Sequence, residues 1–326
     1  MDLSVFFAGT GGSIPTAARG LPALLVRRGG ERLLFDCGEG TQRQLVRSVG
    51  LAELDAVFLT HYHADHWLGL PGMLKTFDLR GRERPLKVYG PRGLREVVAF
   101  GLRVAGKVRY RLELIELSPG EVLERDGYKI APVPASHRIN AFGYVLCEDQ
   151  RPGEFDPRTA TALGLTAGPE FGQVQHGATI RGVTPEQVLG PPRAGRKLMI
   201  SGDTAPSDTV RVAANGADVL IHEATFAEDE LERAFETQHS TAVQAATVAR
   251  DAGVTMLALT HVSSRYPPSV LRDEATAVFD ATVLPRDFDT IEIPFPERGT
   301  PTLVRWKDQA RPPEEAPAEP ISDPAR

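Results

Sequence analysis

The run Thr60-His61-Tyr62-His63-Ala64-Asp65-His66 constrains this chain more than any other stretch. It sets three imidazoles and a carboxylate within six residues, directly behind the apolar run Ala56-Val57-Phe58-Leu59. Neutral nitrogen and anionic oxygen donors together suit a borderline cation such as zinc. In an extended segment alternate side chains share a face, so His61 and His63 point toward one metal. The chain then turns, and Asp65 and His66 can face a second.

A catalytic metal pair needs more donors than this run holds. His137, Asp203 and His261 each stand just after an apolar strand-like segment: Ile130–Ser136, Leu198–Gly202 and Met256–Thr260 respectively. Taken singly, each is more often a capping or core residue. Together, in a chain with only 8 histidines, they read as one shared site. Leu59-Thr60-His61 and Leu259-Thr260-His261 echo each other, as if two halves each delivered ligands from a strand end to a common cleft. Asp203 has two carboxylate oxygens and can bridge two metals. Two zinc ions roughly 3.5–4 Å apart would clamp the attacking and leaving oxygens of a displacement and acidify a water toward neutrality.

The rest of the 326-residue chain reads as α/β. Strands are expected at 5–8, 23–27, 32–36, 56–60, 87–89, 197–201, 219–222 and 256–260, and helices at 41–49, from about 71, and at 93–101, 207–215 and 241–252. Residues 148–195 are rich in Gly and Pro and lack sustained periodicity, which suggests an inserted arm or lid. The domain reading is a catalytic domain over 1–307 carrying that arm, followed by a disordered Pro/Glu/Ala tail over 308–326. No run of about 18 apolar residues occurs, so no membrane span is expected. The first residues carry no basic stretch or cleavage pattern. Two cysteines, Cys37 and Cys147, are too few for a disulfide framework, and a cytoplasmic location is expected. A net charge of −6 argues against a surface that binds nucleic acid all over. Yet Arg80, Arg82, Arg84, Lys87, Arg92, Arg95, Arg103, Lys107, Arg109 and Arg111 are opposed only by Glu83 and Glu96 within their span. That cluster reads either as a solvated helix face or as a track for a phosphate backbone.

His61-Tyr62-His63-Ala64-Asp65-His66 resembles the signature of the metallo-β-lactamase superfamily. Narrower motifs resemble ribonuclease Z, a family that cleaves the 3′ trailer from precursor tRNA. They are Phe6–Pro15, Leu34-Phe35-Asp36-Cys37-Gly38-Glu39-Gly40-Thr41-Gln42, Gly69-Leu70-Pro71-Gly72, Ala141-Phe142-Gly143-Tyr144, Ser201-Gly202-Asp203-Thr204, His222-Glu223-Ala224-Thr225-Phe226, His239-Ser240-Thr241 and Leu259–Tyr266. They occur in order across residues 3–305. The resemblance implies a four-layer αββα sandwich with two zinc ions per subunit, manganese or another divalent metal being possible. It implies one metal on His61, His63, His137 and Asp203, and the other on Asp65, His66, Asp203 and His261. Asp65 would also accept a proton. His239 would protonate the leaving oxygen or stabilise the phosphorane-like transition state, oriented by Glu223, and Arg265 would contact phosphate. The resemblance further implies precursor tRNA as substrate, a homodimer, and an exosite arm that grips the tRNA elbow.

Two segments depart from the family pattern. The arm tip Phe171–Gly177 lacks the lysines usual there, and Ala17 and Gly20 stand where relatives often carry Lys and Asn. Both remove phosphate or base-end contacts and leave the metal ligands intact. The main rival is a small-molecule phosphodiesterase or ester/sulfate hydrolase on the same dinuclear scaffold, which would need neither arm nor basic track. A non-catalytic RNA-binding relative would have lost ligands, and all seven are present.

Overall fold

Runs such as Val5-Phe6-Phe7-Ala8 and Leu33-Leu34-Phe35 have no polar face, and strands of that kind require cover on both sides. The computed structural model, which describes residues 2–51 and 53–309, provides it. Strands β1 (Leu3–Gly9), β2 (Ala23–Arg28), β3 (Glu31–Phe35), β4 (Ala56–Phe58), β5 (Leu86–Gly90) and β6 (Leu112–Glu116) come first in the chain. β7 (Leu123–Arg125), β8 (Tyr128–Pro134), β9 (Phe142–Glu148), β10 (Lys197–Ile200), β11 (Val219–Glu223), β12 (Met256–Thr260) and β13 (Thr282–Val283) follow. β14 (Thr290–Glu292) and β15 (Thr302–Val304) close the fold. The first six and last two strands form an eight-stranded sheet ordered β15-β14-β1-β2-β3-β4-β5-β6. The middle seven form the second sheet, ordered β13-β12-β11-β10-β9-β8-β7. β3 to β6 are parallel, as are β10 to β13.

The sheets pack face to face over a core that includes Val5, Phe7, Phe35, Phe58, Tyr144 and Ile221. Phe35, Phe58 and Tyr89 stack with successive centroids 4.8 Å apart, and the Tyr144 ring of the opposite sheet meets Phe58 edge-on at 5.3 Å. The Tyr144 hydroxyl donates to the Leu59 carbonyl at 2.7 Å, which ties β9 to the chain just before His61. Helices α1 (Thr41–Val46), α2 (Ala64–Trp67), α3 (Gly69–Leu79) and α4 (Leu94–Ala105) cover the outer face of the first sheet. Between β9 and β10 lie α5 (Pro157–Ala162), α6 (Pro169–Gln175) and α7 (Pro185–Val188). After β10 come α8 (Asp208–Ala214), α9 (Leu231–Thr237), α10 (Ala242–Asp251) and α11 (Pro268–Val278), of which α8, α10 and α11 cover the second sheet. The layers run helix, sheet, sheet, helix. Among the described residues no helix is long and apolar enough to cross a membrane.

The structure changes several sequence expectations. The first helix stops at Val46 rather than 49, because Leu51 and Leu54 turn back into the outer core. Residues 148–195 are not irregular: α5, α6 and α7 surround a small core of Ala160, Leu165, Val174, Val183 and Val188. The basic cluster over 80–111 is not a continuous track. Arg82 is buried against Glu53 and the carbonyls of Leu54, Arg84 and Pro85, while Arg84, Arg109 and Arg111 pair with Asp55, Asp78 and Glu113. The tail expected from 308 lies outside the described residues from 310 onward. Trp306–Asp308 forms a 3₁₀ turn, and the Gln309 amide donates to the carbonyls of Phe288 and Val304.

Candidate metal centre

The side chains picked out for metal binding follow strand ends, those of the parallel strands β4, β10 and β12 lying where parallel sheets characteristically present ligands. β4 leads to His61, β8 to His137, β10 to Asp203 and β12 to His261. The strand ends bring them together: His61, His63, His137 and Asp203 form one group, and Asp65, His66 and His261 another, with donor atoms in each within 4.8 Å of one another. His61 Nε2 lies 3.0 Å from His63 Nδ1, which lies 3.2 Å from His137 Nε2. Asp203 joins the groups through a single oxygen rather than by dividing its two. Its Oδ2 is 3.3 Å from both His66 Nε2 and His261 Nε2, and 3.8 Å from His61 Nε2. Asp65 Oδ2 is 3.3 Å from His261 Nε2 and accepts the Ser13 N–H at 2.8 Å.

The chain aims these rings from behind. Glu223 was expected to orient His239, but sequence reasoning missed the roles of Asp36, Thr60, Thr225 and the Gln238 carbonyl. Asp36, at the end of β3, accepts the His66 Nδ1–H at 2.8 Å and the Thr60 hydroxyl at 2.9 Å. With its proton given to Asp36, the Thr60 oxygen accepts from His61 Nδ1 at 3.0 Å. Glu223, at the end of β11, repeats the pattern. It accepts the His239 Nδ1–H at 2.8 Å and the Thr225 hydroxyl at 2.6 Å, and Thr225 accepts from His261 Nδ1 at 2.8 Å. His137 Nδ1 donates to the Gln238 carbonyl at 3.0 Å, at the end of α9. On His61, His66, His137 and His261 these bonds place the proton on Nδ1 and leave Nε2 as a lone pair facing the cleft. Asp36 and Asp203 share one signature, a carboxylate just past an apolar strand, so a uniform strand-end rule would have found Asp36. Asp36 and His261 hold φ of 59° and 57°, left-handed backbone of the kind that clusters at functional sites.

This donor set fits a divalent metal pair. Among the described residues the buried His66 Nε2 has no hydrogen-bond partner, an expensive state for an imidazole that only points at Asp203. The electrostatics agree. Burial opposes charge on Asp203, but the imidazoles of His261, His66 and His61 outweigh it and hold the carboxyl well below its usual range. Burial, with crowding by neighbouring imidazoles, pushes the proton affinities of His61 and His63 down, which favours the neutral, ligating form. His239 differs. Burial lowers its proton affinity, yet Glu223 and Asp203 overcome that and lift its pKa to about 9. His239 also lies within donor reach of Asp203 and His261. The segment that carries it is fixed by the Ser240 hydroxyl on the Thr204 carbonyl at 2.6 Å and by the Thr241–Gln244 cap of α10.

Arg265 stands at the rim, half-exposed. Its Nη1 pairs with both oxygens of Glu230 at 3.1 and 3.2 Å, and its guanidinium lies 6.0 Å from the Phe226 ring, which in turn lies 6.1 Å from the His239 ring. Among the described residues its Nε and Nη2 make no hydrogen bond, so that edge of the fork is open.

The model of the metallo-β-lactamase superfamily matches residues 20–244. Ribonuclease Z of Methanosarcina acetivorans is 42% identical over 90% of this chain and 99% of its own length. Ribonuclease Z of Myxococcus xanthus is 46% identical over 90% of this chain and 98% of its own. The crystal structure of the short form of human tRNase Z superimposes with a TM-score of 0.66 at 28% identity, covering 89% of this chain and 99% of that one.

Proposed function

The chain belongs to the ribonuclease Z family of the metallo-β-lactamase superfamily, and on that premise we propose that it is a metal-dependent endoribonuclease that removes the 3′ trailer from precursor tRNA. The observation that carries this reading is the pair of donor groups meeting at Asp203 Oδ2, with a charged His239 beside them. His61, His63, His137 and Asp203 would hold one divalent cation, and Asp65, His66, Asp203 and His261 the other, zinc suiting the nitrogen-rich donors and manganese being an alternative. When bound, such a pair supplies Lewis-acid polarisation of the phosphate and an acidified water.

The chain's own residues do the rest. Asp65, held by the Ser13 N–H, accepts the proton of the attacking water. The water oxygen bonds to phosphorus and the bond to the tRNA 3′ oxygen breaks. His239, kept charged and oriented through Nδ1 by Glu223, gives its Nε2 proton to that leaving oxygen. The tRNA keeps a 3′-hydroxyl and the trailer keeps the phosphate. The open edge of Arg265 suits a non-bridging pair of phosphate oxygens.

The arm over 148–195 would engage the tRNA away from the metals. Its own small core supports this, as does its root, where Glu148 pairs with Arg196 at 2.7 Å and Arg28 at 2.8 Å. A homodimer is part of the proposal. Exposed Phe100 and Val104 on α4, and Val46 and Leu68 beside α1 and α2, supply apolar surface for it. Two free thiols, Cys37 and Cys147, support a reducing, cytoplasmic setting.

The test is cleavage of a 3′-extended precursor tRNA by zinc-loaded protein, with Asp203→Ala alongside. A cut next to the discriminator base, absent in the variant, is the expected result. No cut, together with turnover of a small phosphodiester, would replace this reading with a small-molecule hydrolase.

A further inference from the structure

Many of the arginines are already held by carboxylates, as Arg82 is by Glu53 and Arg305 by Asp289. Arg43 and Arg47 on and just after α1, and Arg286 before β14, are exposed, and among the described residues none pairs with a carboxylate. They line one groove of about 540 Å³, whose wall is formed by residues 15–20. Two carboxylates reach this groove. Glu39 faces it from the start of α1. Asp287 is consumed by the Thr10 hydroxyl at 2.7 Å, the Gly20 N–H at 2.6 Å and the Gln44 amide at 2.6 Å. The groove therefore presents a net surplus of guanidinium, the group best shaped for phosphate oxygens.

An aromatic face accompanies the charge. Phe288 lines the same groove and holds φ of 75°, a conformation that bulky side chains seldom adopt. Its ring stacks parallel to Phe6 at 6.2 Å, packs at a tilt on Trp306 at 5.6 Å, and lies 5.8 Å from the Arg47 guanidinium at the groove. Guanidinia set around an aromatic ring are the recurring parts of a single-strand nucleic-acid groove.

One loop of the chain runs from the metal centre to the groove. Gly12 lies so close to the His261 ring that a Cβ there would sit 2.4 Å from its Nδ1, and Ser13 holds Asp65. Residues 15–20 continue directly into the groove wall. His239 stacks on His261 with ring centroids 5.3 Å apart, whereas Asp65 meets His261 at Nε2. In the proposed reaction the leaving oxygen goes to His239 and takes the tRNA with it. The strand that keeps the phosphate is left on the Asp65 side, where the loop and groove stand.

We infer that the Arg43–Arg47–Arg286 groove binds the single-stranded 3′ trailer by its phosphodiester backbone, with a base against Phe288. This rests on the proposed nuclease reading for the direction of the strand, but not for the binding itself.

The test separates the two. A ten-nucleotide RNA carrying a 5′-phosphate and a fluorophore, a mimic of the released trailer, is titrated against zinc-loaded wild type and R43Q/R47Q/R286Q, with anisotropy read at several salt concentrations. The expected result is binding about tenfold weaker in the variant, with the slope of log affinity against log salt reduced by about 2. Equal affinity and equal slope overturn the inference. Precursors with one-nucleotide and ten-nucleotide trailers are then compared. A KM raised only for the long trailer is expected, and an equal rise for both overturns the assignment to the trailer. Unchanged turnover of a small phosphodiester by the variant verifies that its metal centre and fold are intact. A wild type that binds the oligonucleotide but cuts no precursor would defeat the nuclease reading and leave the groove standing.

Discussion

Glu223 and His239 are joined by a 2.8 Å hydrogen bond, and the other oxygen of the same carboxylate reaches His261, in the donor cluster, through Thr225. One buried anion thus orients both the proton donor and a ligand of the proposed reaction. Asp36 does the same for His66, directly, and for His61, through Thr60. The two halves of the fold use the same device at corresponding strand ends.

Replacing His239 by Ala should lower kcat about 10²–10⁴-fold with little change in KM, the usual range for loss of a general acid. Glu223→Gln keeps the shape and removes the charge. Because the charge lifts the His239 pKa to about 9, the variant should lose its protonated imidazole at lower pH. The alkaline limb of kcat should move toward neutrality, and a pH–rate profile under single turnover reads it. An unmoved limb would contradict the role given to Glu223.

The threonine links can be cut without changing side-chain volume much. Thr225→Val should weaken binding of the metal at His261 by about 10–100-fold, and Thr60→Val that of the metal at His61. Zinc titration with a competing chelator should show two steps in the wild type and a different step weakened in each variant. Identical effects on both steps would mean that the hydroxyls serve only the general fold.

Gly12 packs against His261 with no room for a methyl group. Gly12→Ala should displace the ring and lower zinc content from two toward one per chain, measurable by elemental analysis on folded protein. Retention of two zincs would show that the loop yields instead.

Glu148 is buried between Arg28 and Arg196. Burial opposes its charge, but the bonds from Arg196 and Arg28 prevail and hold its carboxyl below the usual range. A depressed folded-state pKa gives stability that is fully present above the unfolded value, about 4.3, and lost as pH falls through the folded one. The melting temperature of the wild type should therefore fall on acidification below about pH 4.3, and part of that slope should vanish in Glu148→Gln. At neutral pH the substitution leaves two buried guanidinia short of a partner and should cost about 3–5 kcal/mol.

Much of this site was legible in order along the chain. His61, His63, Asp65 and His66 announce themselves by spacing, and His137, Asp203 and His261 by standing just past apolar runs. Asp36 carried the same sign and was passed over. Thr60 and Thr225 carried none, because a hydroxyl becomes a link only when a carboxylate and a ring arrive on its two sides, and Asp36 lies 24 residues from Thr60. The basic cluster misled for the complementary reason. Glu53, Asp55 and Asp78, which neutralise Arg82, Arg84 and Arg109, lie about 30 residues away in the chain. Local composition has no knowledge of such partners.

The sequence by itself determined the α/β class, through local periodicity, and the candidate donor residues, through residue types at fixed spacing, while the family and its layered architecture were legible as a resemblance of motifs. Tertiary structure alone decided which nitrogen of each ring faces the cleft, that one oxygen of Asp203 serves both donor groups, and that Arg43, Arg47 and Arg286 have no carboxylate partner among the described residues. Those properties depend on distances between segments far apart in the chain, and only the closing of two sheets over a shared core sets them.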